Sequence, residues 1–286
     1  MSDEQGIQDE LAEAQESPHA PVGGAIERIH TVNQMETPKS CSGIFDLPCG
    51  YIDPHTREII TEVQIREITG NEEDMLASQQ IPSSQKISSL LAGCVTRIGT
   101  ITDKGLIAGI VQGLTVGDRV FLIFSIRRVT LGDELPVRER CPECKVTTLF
   151  MVDLAKDLTP KPMEDPSKRV FDITLPSGTP ARFRVSTGQD EAALAKLVKR
   201  QNHKADSLSQ SLLMRLELLG DEKPTLKMVK SLGMRDRNFL RDQFQKVEGG
   251  VDTSLELECP ACGNEWEKDL DLSAASFFFP GGRQRP

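Results

Sequence analysis

"CPEC" at 141–144 and "CPACGNEW" at 259–266 decide the reading of this chain. Each pairs two cysteines across two residues, with proline after the first, and 114 residues (145–258) separate the pairs. A CxxC turn is a tight knuckle that points two thiolates at one ion, and a tetrahedral zinc site needs four such ligands. Two knuckles therefore build one site, provided the fold returns the second to the first. Extended residues flank both, "KVTTLFMVDL" after the first and "SLELE" before the second, so each knuckle belongs at the turn of a β-hairpin, as in zinc ribbons. The expectation is one structural zinc held by Cys141, Cys144, Cys259 and Cys262. Four thiolates close the coordination sphere and leave no open position for catalysis. A thiol-redox pair would want a helix N-terminus after it, and strand-like residues stand there instead. His203, the sole histidine between the pairs, reads as a surface residue at a helix start.

The chain has 286 residues, 38% apolar and 5% aromatic, enough for one large domain or two modest ones. No stretch approaches the roughly 18–20 apolar residues of a membrane helix. The opening "MSDEQGIQDELAEAQESPHAPVGG" is acidic and has no apolar core of a signal peptide, so the expectation is a soluble protein made in a cytoplasm. Formal net charge is −9, of which residues 1–40 carry −6. No basic face is obvious, which disfavours a nucleic-acid partner. Of seven cysteines, four sit in CxxC pairs, and in a cytoplasmic chain that favours metal over disulfides.

Residues 1–40 read as an extended or disordered acidic arm that takes its order from other chains. Residues 41–156 read as an α+β core carrying the first knuckle. Within it, "IITEVQIREI" alternates as a strand, "NEEDMLASQQ" (71–80) reads as a short helix, and "SSQKISSLLAGCVTRIG" (83–99) as a second, with Cys94 on its apolar face. "GDRVFLIFSIRRVTLGDE" (117–134) fits a strand by composition and a buried helix by its Asp118 cap and its length. Residues 157–169 are a Pro-rich linker, and 170–250 a hairpin ("VFDITLPSGTPARFRVST") followed by a helical subdomain. In that subdomain Thr187–Asp190 resembles a capping box, Asp206 caps "SLSQSLLMRLELLG", and Leu240, Phe244 and Val247 share a face of 235–247. Residues 251–280 bring the second knuckle hairpin back to the core, and 281–286 form a flexible tail. Phe277, Phe278 and Phe279 are consecutive, and a strand there would point them to alternate faces. That makes them, with the arm, candidate contacts to neighbouring subunits.

"LPCGYIDPHTREIITEVQIREITGNEEDMLAS", "GDRVFLIFSIRRVTLGDE", "CPECK", "DITLPSGTPARFRVSTGQDEAAL" and "CGNEWEKDLDLSAASFFFP" stand in an order that resembles the T-even-like contractile-tail phage baseplate hub and hub-assembly proteins, over about residues 42–280. The resemblance implies a non-enzymatic part or assembly factor of the tail, placed in the virion baseplate or in host cytoplasm during assembly, with other tail proteins as partners. It also implies helix for 118–131. The zinc rests on the chain's own cysteines. Two other readings stay open. A zinc-ribbon nucleic-acid-binding or transcription accessory protein would need a basic surface at the knuckles. Arg138, Arg140 and Lys145 are there, but Glu139, Glu143, Glu265, Glu267 and Asp269 offset them. A thiol oxidoreductase comes third.

Overall fold

Two extended runs, "SGIFDLPCGYI" and "IITEVQIR", form the antiparallel strands β1 (Ser42–Ile52) and β2 (Ile59–Arg66). Val63 and Ile65 alternate into the core, as a period of two requires. The structure, a computed structural model, describes residues 42–201, 206–270 and 277–278. Two helices follow, α1 (Gly70–Ala77) and α2 (Ser83–Cys94). The Glu72 carboxylate closes the start of α1 by accepting from the Thr69 N–H (3.0 Å) and hydroxyl (2.6 Å). The second helix stops earlier than its apolar spacing suggests. Val95–Ile98 leaves the helix as β3 and pairs with β2. A β-branched residue at 95 and an unfilled sheet edge favour that exit. Cys94 is buried, as expected.

The helices α3 (Lys104–Gly113) and α4 (Val116–Leu131) complete the first half. The undecided run at 117–134 is thus helical. Its central residues Phe121–Arg127 are buried on every side, which hides the helical period behind a near-continuous apolar string. Thr115 caps α4, its hydroxyl accepting from the Asp118 N–H at 3.1 Å, and Gly132 (φ 85°) ends it. Gly117 is required by a close approach: a Cβ there would stand 1.9 Å from the Gly249 carbonyl oxygen. The first knuckle hairpin follows, β4 (Glu134–Arg140) and β5 (Thr147–Asp153).

After the short β6 (Pro160–Lys161) the same succession begins again. Strands β7 (Val170–Thr174) and β8 (Pro180–Arg184) form the expected hairpin, followed by α5 (Gly188–Gln201) and α6 (Ser207–Arg215). Here too the expected long helix is cut short, and "LELL" becomes β9 (Leu216–Leu219), pairing with β8. Asp206 makes no side-chain cap bond and pairs with Lys230 at 2.7 Å instead. Helix α7 (Leu226–Ser231) was not foreseen from the sequence, and α8 (Met234–Val247) buries Leu240 and Phe244 as its spacing requires. Strand β10 (Gly250–Val251) pairs back with β6. The second knuckle hairpin is β11 (Ser254–Glu258) and β12 (Glu265–Asp269).

The chain is an internal duplication, shown by bonds that recur between equivalent residues. In the first half Arg66 grips Glu72 with two contacts, 3.1 and 2.8 Å. In the second, Arg184 grips Asp190 at 2.7 and 2.6 Å. Thr187 donates to Asp190 through N–H and hydroxyl as Thr69 does to Glu72. In "LPCG" (47–50) the Cys49 N–H donates to buried Asp118 (2.8 Å), and in "LPSG" (175–178) the Ser177 N–H donates to buried Asp236 (3.0 Å). Arg119 donates to the Val111 carbonyl (2.7 Å) and the Ser88 hydroxyl (3.2 Å). Arg237 does the same to Val229 (2.8 Å) and Ser209 (3.1 Å). Both third strands end at a glycine of positive φ, Gly99 (54°) and Gly220 (67°). Most counterparts stand 118 positions apart: 66 and 184, 118 and 236, 141 and 259.

Two main apolar clusters result, with a small third of Cys49, Met163 and Val185 among the described residues. The larger joins β1–β3 and α2–α4 to the inner faces of both knuckle hairpins, and the smaller lies among β7–β9, α6, α7 and α8. Phe277 and Phe278 belong to the larger. Phe277 packs edge-on against Phe124 at 5.1 Å, and Phe277 and Phe278 are 1% and 5% exposed. For Phe277 and Phe278 this corrects the expectation of a strand with an aromatic group presented to a neighbour. The pair is helical and seals this chain's own core, where α4 offers a matching apolar surface. Phe279, the arm (1–40), His203 and the 281–286 tail lie outside the described residues.

Candidate metal centre

The two knuckles have one backbone design. The Cys141 N–H donates to the Val146 carbonyl (2.9 Å) and the Lys145 N–H returns to the Cys141 carbonyl (3.2 Å). Likewise the Cys259 N–H donates to Asn264 (2.9 Å) and the Gly263 N–H to Cys259 (2.8 Å). The turn needs a left-handed residue just after its second cysteine. Glycine supplies it at 263 (φ 69°), whereas Lys145 adopts it at φ 62° despite its side chain. This loop tightens each hairpin and turns its N–H groups toward sulfur: those of Glu143 and Cys144 bond Cys141, and that of Val146 bonds Cys144.

The fold brings together all four cysteines singled out in the sequence. Two sulfur pairs bridge the knuckles, Cys141 to Cys262 at 3.7 Å and Cys144 to Cys259 at 3.6 Å, and all four sulfurs lie within 4.8 Å of one another. The reciprocal pairing follows from the duplication, since Cys141 corresponds to Cys259 and Cys144 to Cys262. A tetrahedron of Zn–S bonds of about 2.3 Å has edges of about 3.8 Å, so the spacing fits a shared zinc. It does not fit a disulfide, whose sulfurs approach to about 2.05 Å. Cys141 and Cys259 are buried, Cys144 and Cys262 exposed.

The thiols interact strongly. Burial raises Cys141, but the N–H groups of Cys144 and Glu143 and the adjacent thiols outweigh it and bring it down to about 7. The Val146 N–H lowers Cys144, yet desolvation and the three neighbouring sulfurs push it up to about 12. One thiolate is easily accommodated and further ones are not, which is the electrostatic condition a bound dication relieves. Strands β5 and β12 follow the knuckles, so neither pair sits at the helix N-terminus that activates redox cysteines.

Outside the centre, burial, then the charge of Asp118, raises Cys49 to about 12, and burial raises Cys94 to about 12. Both are core thiols. Cys41 lies outside the described residues.

Inner faces of the hairpins meet behind the sulfurs. The Phe150 and Trp266 rings pack edge-on at 5.9 Å, and Lys268 approaches Glu139 at 3.5 Å. The sequence motif found the four clustered cysteines but not the reason for their separation. The recurring "LPxG", "RxxTGx(D/E)", "DRxFL" and "CPxC" elements carry that reason. No curated protein and no solved structure matches the chain. The sequence model of the family described as T4 bacteriophage base plate protein matches residues 54–280, a span that includes both knuckles. The chain belongs to that family of phage baseplate proteins.

Proposed function

We propose that the protein is a non-enzymatic structural or assembly component of the hub region of a contractile-tail baseplate, stapled by one zinc ion at Cys141, Cys144, Cys259 and Cys262. The observation that carries the zinc is the sulfur spacing, 3.6 and 3.7 Å between knuckles of equivalent halves. Bound there, zinc supplies a closed four-thiolate cross-link. The chain's own residues do the rest: knuckle N–H groups orient the sulfurs, and Phe150 and Trp266 hold the hairpins in register. The cross-link closes a loop of 114 residues, so that the two halves of the duplication move as one body. Rigidity of that kind suits a part that positions neighbours. Other tail proteins are its partners, in the virion or in host cytoplasm during assembly.

The test is to purify tails from infected cells, identify their proteins by mass spectrometry and measure zinc on the isolated chain. One zinc per chain, with the chain present in tails or in tail-assembly intermediates, is the expected result. A chain found in neither, or one that binds no zinc, contradicts the corresponding half of the reading.

A further inference from the structure

The two knuckle hairpins are equivalent by duplication, and their outer faces have opposite chemistry position by position. On β4 and β5 the residues that point away from the core include Arg138, Arg140, Leu149 and Met151. Their counterparts 118 positions on are Glu256, Glu258, Glu267 and Asp269. In the first face Arg138 stands across from Leu149, with Leu149 55% and Met151 58% exposed. Arg138 has no hydrogen bond or ion pair among the described residues. Glu134 and Asp153 lie at the far end of this hairpin, and Glu143 lies in its knuckle.

The second face is a block of carboxylates. Glu256 stands directly across from Glu267, and Glu258 across from Glu265, with Asp269 completing the row. Directly opposed like charges destabilise a strand pair. None of these five has an ion pair among the described residues. Lys268, on the same hairpin, points inward to Glu139. Arg140 donates to the Lys145 carbonyl (3.0 Å) and the Ser254 hydroxyl to Glu267, but no ion pair among the described residues neutralises either face.

Geometry decides what can. The inner faces of the hairpins contact each other through Phe150–Trp266 and Glu139–Lys268, so the outer faces point away from one another. A single molecule cannot bring its basic, apolar face onto its acidic one. A second copy can, and it matches in form as well as charge. Both faces are two-stranded ribbons ending in the same knuckle, and both carry their charges at every second residue of the strand, about 6.5–7 Å apart. A contact between two basic faces, or between two acidic ones, would be repulsive. We infer that the β4–β5 face of one copy docks on the β11–β12 face of a second, in a head-to-tail contact. Such a contact is heterologous, so it leaves one face of each kind free and can propagate to a ring or a row of copies. Leu149 and Met151 form its apolar centre, Arg138 and Arg140 its ion-pairing rim. The inference stands on the hairpin faces and does not depend on which metal fills the knuckles.

Sedimentation of the full chain tests it, with two charge-inverted variants, Arg138→Glu/Leu149→Glu and Glu256→Lys/Glu267→Lys. The wild type is expected to gain mass with concentration at about 0.05 M salt and to lose at least tenfold in association constant at about 0.5 M, where the Debye length has fallen to about 4 Å. Each variant alone should lose at least tenfold in association constant: in the first, two glutamates outweigh Arg140 and both outer faces are acidic, and in the second the five carboxylates fall to three, set against two lysines. A mixture of the two should associate again. Unchanged zinc content and Trp266 emission report that the variants fold. Should either variant misfold, Arg138→Gln and Glu256→Gln are read in its place, each weakening association severalfold. A wild type that stays monomeric at all concentrations overturns the inference. So does association that both variants retain, or a mixture that does not restore it. Docking of another tail protein on these faces would appear as the first of those outcomes.

Discussion

Cutting the knuckle cross-link at Cys259 is the most informative perturbation, because its magnitude follows from the topology. Cys144 and Cys259, 3.6 Å apart through their sulfurs, close a loop of 114 intervening residues. By the chain-entropy relation for cross-links, releasing such a loop costs roughly 4–5 kcal/mol. A domain typically has about 5–15 kcal/mol in total, so Cys259→Ser should remove a third or more of the stability. The chain carries its own reporter. Trp266, the single tryptophan, sits four residues beyond Cys262 and against Phe150 across the hairpin interface. Urea unfolding followed by Trp266 emission should show the midpoint fall by that amount in Cys259→Ser, with emission red-shifted before the main transition and zinc absent. Chelation of the wild type should reproduce the variant. Adding Cys141→Ser to Cys259→Ser should cost little more, since the first change has already opened the loop. Cys94→Ser, in the core of α2, should lose packing stability yet keep one zinc. A Cys259→Ser protein that still binds one zinc as tightly as wild type, or that loses less than about 1 kcal/mol, would refute the loop argument.

Gly117→Ala should destabilise by about 3 kcal/mol or more in thermal melting, since its Cβ would meet the Gly249 carbonyl at 1.9 Å. Gly109→Ala, on α3 with nothing within 4 Å of the new Cβ, should stabilise by about 0.5–1 kcal/mol. Arg127 is buried with Nε and Nη1 unbonded, and burial lowers its pKa, so Arg127→Met should be neutral or stabilising in urea unfolding, by about 1 kcal/mol. Hydrogen bonds from Arg66 hold the Glu72 carboxylate down at about 2, below its unfolded value of about 4.5. A depressed carboxylate contributes stability that is whole above the unfolded value and is lost as pH falls toward 2. Acid titration of unfolding free energy should therefore be shallower between pH 4.5 and 2 in Glu72→Gln than in wild type.

Local chemistry made much of this legible in the sequence. The knuckles were readable because a CxxC turn carries its own geometry, and the strands and short helices because alternation and spacing report a half-buried surface. The helix α4 was ambiguous for the converse reason: buried on every side, it offers no period to read. The ends of α2 and α6 were misjudged because "VTRI" and "LELL" satisfy a helical face as well as a strand. Only the presence of β2 and β8, each with an unfilled edge, decides for strand. The same holds for Phe277 and Phe278, whose burial depends on the surface that α4 presents.

What the sequence by itself determined is the set of four cysteines and the turns that carry them, since a CxxC turn holds its two sulfurs in a fixed local geometry that suits a soft metal. Tertiary structure alone decided that they meet. It also decided that charges which offset one another in the linear count lie on opposite sides of the ribbon. The physical reason is the pleat and the duplication acting together. Alternation sends neighbouring residues such as Arg138 and Glu139 to opposite faces, and the pairing of equivalent hairpins through their inner faces turns Arg138 and Glu256 away from each other.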